Sequence, residues 1–166
     1  AAVLNDHPIA YWRKREGTGT AMVDSAGFFD GAYSGAVEVD QSGVFASDTA
    51  ATYNGGKATV PWSAALNPAG PFSMEFWTKS TDNSGFRTVF SSQNRNVGRS
   101  GYAMYHHVND TALEVHMGNA SSVTMFLYGP KPVELNTWYH VVLTYDGTTA
   151  KLYVDCELGP DGTASG

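Results

Sequence analysis

Asp24 and Asp30 bracket the stretch DSAGFFDG, with Gly27 between them. Two carboxylates at the ends of a loop of small residues are a pattern for cation binding. Calcium takes about six to eight oxygens in flexible geometry, backbone carbonyls included. The spacing is not that of an EF-hand, because its ligand positions would fall on Ala26, Phe28 and Gly35. The expected ligands are the Asp24 and Asp30 side chains and a Gly27 carbonyl. The competing reading is an Asx-turn at each aspartate, with Phe28 and Phe29 anchoring the loop on the core.

Other polar groups bear on catalysis. Glycoside hydrolysis needs two carboxylates facing each other across the scissile bond. Glu38-Val39-Asp40-Gln41-Ser42 comes nearest, and the third carboxylate of a Glu-x-Asp-x-Glu strand is missing. Glu114 and His116 share one face of a strand, and a cross-strand partner could make them a zinc site. A solvated polar face explains them more simply. His106 and His107 point to opposite faces of a regular strand. No Ser/His/Asp arrangement is suggestive, so no enzyme is expected.

The aromatic residues point to binding. Sugar rings stack their apolar faces on Trp and Tyr and need fixed polar groups for their hydroxyls. A sheet face carrying Glu75, Trp77, Tyr102 or Tyr105, and His106 or His107 would supply both. In the loop from Ser91 to Gly101, Arg95 and Arg99 offer planar guanidinium groups for hydroxyls or a carboxylate. Core packing is the competing role for the aromatics.

These side chains need strands to position them. FSMEFWTK alternates, Phe72, Met74, Phe76 and Thr78 on one side and Ser73, Glu75, Trp77 and Lys79 on the other. GYAMYHHV and TALEVHM flank Asn109-Asp110, a hairpin signal, and SVTMFLYG follows. TWYHVVLTYDGTTAKLYVD is two strands joined around Asp146-Gly147. Shorter strands are expected at AYW, GAYSG, TAATYNG and KATVP, and one helical turn within Pro61 to Gly70. Many short strands between Gly, Asn and Asp turns predict a β-sandwich or jelly roll.

The whole chain agrees. Its 166 residues suit one domain, 1–166, able to bury roughly 70% of its unfolded surface. Only 16% of residues are charged, and the net charge of −6 argues against a nucleic-acid partner. No apolar run approaches the ~20 residues that span a bilayer, and the first residues do not read as a secretion signal, so a mature form or a segment of a longer chain is expected. With Cys156 as the single cysteine, no intramolecular disulfide forms. The sequons at Asn109 and Asn119 fall in predicted turns.

AYWRKREGTGTAMVDSAGFFDGAYSG, GPFSMEFWTKS, FRTVFSSQN, GYAMY and NTWYHVVLTYDGTTAKLYVD occur in this order. Together they resemble the concanavalin A-like lectin/glucanase superfamily in its laminin-G-like branch. The resemblance implies an all-β jelly roll of two antiparallel sheets, and an extracellular module that binds carbohydrate or another protein chain. It also implies a structural calcium, to which the Asp24–Asp30 loop contributes. Two departures stand out: Lys14 replaces an apolar residue, and Cys156 replaces the glycine of a tight turn, where a side chain is strained. The pattern's closing strand after LYVD is not evident, so the chain is expected to be a segment of a larger protein, or to have its sheet completed by another chain or by self-association. The reading is a non-catalytic carbohydrate-binding module, with a structural or adhesion domain second and a glycosidase third.

Overall fold

The computed structural model describes residues 2–82, 84–93, 100–106, 112–119 and 123–160. Nearly all regular structure is antiparallel β-strand, in two compact units, Ala1–Leu66 and Asn67–Gly166.

The first unit opens with one helical turn, α1 (Ala2–Asn5), which periodicity did not signal. Its strands are β1 (Ala21–Met22), β2 (Gly31–Ser34), β3 (Val37–Ser42), β4 (Thr49–Tyr53) and β5 (Lys57–Thr59). They form a three-stranded sheet, β1-β2-β5, and a β3-β4 pair. Gly31 is required where β2 meets β5, since a Cβ there would lie 2.8 Å from the Thr59 carbonyl oxygen. The expected strand at Tyr11 is reduced to one bridge between Trp12 and Asp24. The register of β3 shifts between Glu38 and Gln41, and Asp40 takes a φ of 59°. That bulge breaks the alternation a carboxylate pair at Glu38 and Asp40 would need. Lys14 is accommodated rather than replaced by an apolar side chain. Its Nζ donates to the Tyr53 hydroxyl at 2.7 Å and lies 5.0 Å from that ring's centroid. Burial lowers the lysine's pKa, and burial together with Glu16 pushes that of Tyr53 up to about 12. The helical turn expected after Pro61 is the 3₁₀ turn Ala64–Leu66.

The second unit holds β6 (Phe72–Thr78), β7 (Arg87–Ser91), β8 (Gly101–His106), β9 (Leu113–Gly118), β10 (Val123–Tyr128), β11 (Tyr139–Tyr145), β12 (Ala150–Val154) and β13 (Glu157–Leu158). They make two four-stranded sheets, β10-β9-β8-β7 and β13-β12-β11-β6. Met104, Val115 and Leu127 from the first sheet and Val141, Leu143 and Leu152 from the second share one core cluster. Each is no more than 1% exposed. Phe72, Met74 and Phe76 of β6 pack on that cluster, the side their alternation predicts. The unit is thus a β-sandwich of the expected concanavalin A-like kind.

The hairpin from β11 to β12 turns at Asp146, whose Oδ1 accepts the N–H groups of Thr148 and Thr149, while Gly147 takes a φ of 102°. The next turn joins β12 to β13 through Asp155 and Cys156, with φ of 50° and 68°. Two consecutive positive φ values define a type I′ hairpin, where side chains are strained. The short β13 pairs through Tyr153 with Leu158 and Val154 with Glu157. Cys156→Gly is therefore expected to stabilise the fold by about 0.5–1 kcal/mol, the strain relief net of glycine's entropy. A denaturant midpoint at or below that of the parent would contradict the turn assignment.

Candidate functional site

Antiparallel pairing of β6 with β11 places His140 opposite Trp77, Val142 opposite Glu75 and Thr144 opposite Ser73. All six leave the core side, because Met74, Phe76, Val141 and Leu143 alternate with them and point inward. Trp77 is 43% exposed. Its ring centroid lies 5.0 Å from that of His140, with 34° between the planes. His140 Nε2 is 3.8 Å from Glu75 Oε2, and the His140 backbone N–H donates to Asp155 Oδ1 at 3.0 Å. One step further along the ladder the Lys79 ammonium lies 5.0 Å from the centroid of Trp138. The face therefore offers aromatic surface beside a carboxylate, an imidazole, hydroxyls and an ammonium.

The other expected site residues are not gathered there. Tyr102 and Tyr105 belong to β8, in the opposite sheet, so they cannot share a face with Trp77. Tyr102 turns inward, 5.2 Å from Phe72 and 5.8 Å from Phe90 between ring centroids, and burial raises its pKa. Tyr105 is on the far side of β8 and only 4% exposed, edge-on to Phe86 and 5.0 Å from the His116 ring. Arg95, Arg99 and His107 lie outside the described residues. Alternation gave each strand's two faces, but not which sheet each strand joins. His140 and Trp138 were readable as members of the site only from the β6–β11 register.

Glu114 and His116 do share a face, as expected. His116 Nε2 meets Glu114 Oε1 at 2.5 Å, and the imidazole sits between Tyr105 and Phe126. Glu114 is 5% exposed. Among the described residues no third His, Cys, Asp or Glu joins such a group to hold a metal ion.

In the Asp24–Asp30 loop the Asp24 carboxylate is 2% exposed. Its Oδ1 accepts the N–H groups of Tyr11 at 2.6 Å and Ala26 at 2.9 Å. Its Oδ2 accepts those of Phe28 at 3.1 Å and Phe29 at 2.9 Å. Asp30 Oδ1 accepts the Asp24 N–H at 2.8 Å, the Trp12 indole N–H donates to the Phe29 carbonyl, and Gly27 takes a φ of 92°. Phe28 does not anchor the loop on a core. It is 78% exposed at the tip.

A laminin-G family model described as "concanavalin A-like lectin/glucanases superfamily" matches residues 52–166. The chain belongs to that superfamily. A comparison with curated proteins finds no match. Among solved structures, a 2.1 Å crystal structure of an S-layer domain-containing protein (residues 221–444) from Clostridium thermocellum is similar in fold. The TM-score is 0.58 at 17% identity, over 90% of this chain and 69% of that one.

This laminin-G-like chain's loop at Asp24 precedes the matched residues, and its geometry does not fit the calcium that the resemblance implies. A carboxylate has about four acceptor sites, and here four N–H groups occupy them. A cation at either oxygen would face the positive ends of those amides. Asp24 instead does the ordering that an ion would do.

Burial works to raise the Asp24 pKa, but the four backbone N–H bonds outweigh it and the net shift is downward. The stabilisation is therefore complete at neutral pH and is lost as pH falls below the usual aspartate range, through the folded value. Asp24→Asn would turn an NH₂ toward two of the N–H donors. It is expected to cost at least about 2 kcal/mol at pH 7, and less in strong acid. Parent melting curves in chelator and in excess calcium should coincide; a rise in calcium that Asp24→Asn erases would restore the metal reading.

Proposed function

We propose that this chain is a non-catalytic carbohydrate-binding module whose site is the outer face of β6 and β11. One observation carries the reading. The Trp77 indole, a large apolar surface left 43% exposed, is bordered within one ladder step by His140 and Glu75. Buried aromatics serve packing, whereas an exposed indole beside polar groups matches the mixed face of a pyranose ring. The superfamily likeness supports a binding role without naming a ligand. Hydrolysis is disfavoured, since Glu75 is the one carboxylate that β6 and β11 lift to that face, and the nearby Asp155 is committed to the His140 backbone N–H and to Lys131, whereas the glycosidase chemistry takes two free carboxylates. Such an open face buries few groups completely, so dissociation constants of roughly micromolar to millimolar are expected.

The setting is proposed to be extracellular, at a cell surface. The S-layer domain-containing neighbour supports that placement as an analogy of fold. No helix among the described residues is long and apolar enough to cross a membrane.

A glycan array with parent and Trp77→Ala proteins tests the assignment. The variant is expected to lose binding while keeping its melting temperature within a few degrees. If Trp77→Ala unfolds the chain, the indole is a core element and this face is not the site.

A second reading, a structural or adhesion module that binds another protein chain, is favoured by Phe28 and Trp62, each 78% exposed. Light scattering on the purified chain separates the two. A concentration-dependent dimer that Phe28→Ser abolishes would favour the second reading, and a monomer at all concentrations the first.

A further inference from the structure

Resting on the glycan reading above, we infer that the ligand is an internal stretch of a neutral, linear glycan laid along the β6–β11 ladder. Trp138 and Trp77 act as successive stacking platforms.

Strand register brings the two indoles together. Tyr139 faces Thr78 and His140 faces Trp77. Trp138 therefore stands beside Lys79, as their cation–π contact shows. The outward rows run in order: Lys79 with Trp138, Trp77 with His140, Glu75 with Val142, Ser73 with Thr144. Successive rows on one face are two residues apart, about 7 Å along the strands. Two indoles on neighbouring strands, offset by one row, form a staggered line rather than a pocket.

A terminal sugar is recognised by enclosure, with polar groups on several sides of one ring. A flat ladder supplies none of this, because its side chains stand side by side on a single surface. Ser73, Glu75, Trp77 and Lys79 are exposed and Trp138, His140, Val142 and Thr144 half-buried, so the line is open along its β6 side and partly open along the other. A chain of linked rings can lie across it and gain a second stacking contact for little further loss of freedom.

Charge narrows the class. The line holds one carboxylate, Glu75, and one ammonium, Lys79, at a distance of two rows. The neighbouring strand adds Lys151 opposite Thr144 and, at its end, Asp155 beside His140, so two cations and two carboxylates balance on this face, and the chain as a whole carries −6. A polyanionic glycan would find its two cations, Lys79 and Lys151, offset by Glu75 and Asp155, and a repulsive chain behind them. A neutral polymer fits: its hydroxyls meet Glu75, His140, Ser73 and Thr144. The Lys79 ammonium, now on the Trp138 ring, turns to a hydroxyl when a sugar ring takes its place.

The test is a calorimetric chain-length series. The probes are neutral β-linked oligosaccharides of glucose, mannose and xylose, from monosaccharide to hexasaccharide, with a sulfated polysaccharide as the charged arm. The expected result is no measurable monosaccharide binding, with affinity rising roughly tenfold or more from disaccharide to hexasaccharide in one of the series. Trp138→Ala and Trp77→Ala should each lower hexasaccharide affinity by roughly tenfold or more. Melting curves check that the variants are folded; should Trp138→Ala unfold, the length dependence of the parent decides. Affinity that saturates at the monosaccharide, or that Trp138→Ala leaves unchanged, overturns the line while the Trp77 site stands. Binding confined to the sulfated polymer overturns neutrality alone. Failure of every glycan, here and on the array, sinks the carbohydrate reading itself.

Discussion

The register of β11 against β6 is the constraint on which both the core and the candidate site depend. One pairing sends Phe76, Val141 and Leu143 inward and lifts Trp77, His140 and Glu75 outward. Side chains alternate with a period of two, so a slip of one residue would exchange the sets. It would drive a carboxylate and an imidazole into the cluster and strand the aliphatics in water. Burying those charged groups without partners is far more expensive than any surface contact can offset. The hydrophobic core thus specifies the site's geometry, although no site residue belongs to the core.

The second constraint is local. A single buried carboxylate gathers four N–H groups from both ends of the Asp24 loop and from the chain at Tyr11. A Gly-rich segment loses much entropy on ordering, and charge-assisted bonds are strong enough to offset it. The loop has a fixed shape by its own chemistry, and that shape holds Phe28 out in solvent. The same fixed tip gives the protein-partner reading its physical basis, since a preordered aromatic loses little freedom on docking.

Much of the architecture was legible from residue patterns. The alternation of FSMEFWTK and the Asp146-Gly147 turn were visible in the sequence, the strain at Cys156 followed from the family resemblance, and all three recur in the structure. Strand partners across the sandwich were not, because period-two alternation says which residues share a face and nothing about which sheet carries it. That is why Trp77 and Tyr105, both good stacking residues, were grouped although they sit on opposite sheets. The role of Asp24 was also hidden. An acid in a Gly-rich loop reads the same whether its oxygens meet a cation or amide hydrogens, and only the backbone conformation distinguishes them.

The central claim, that the outer face of β6 and β11 is where a ligand lands, can be read directly from the four tryptophans of the chain. Each indole N–H gives its own signal in a nitrogen–proton correlation spectrum. During titration with an array-positive glycan, the Trp77 and Trp138 signals should move together with a common dissociation constant. Trp12, whose indole N–H is committed to the Phe29 carbonyl, and Trp62 should stay in place. Movement confined to Trp62 or Trp12 would place the ligand elsewhere and contradict the account.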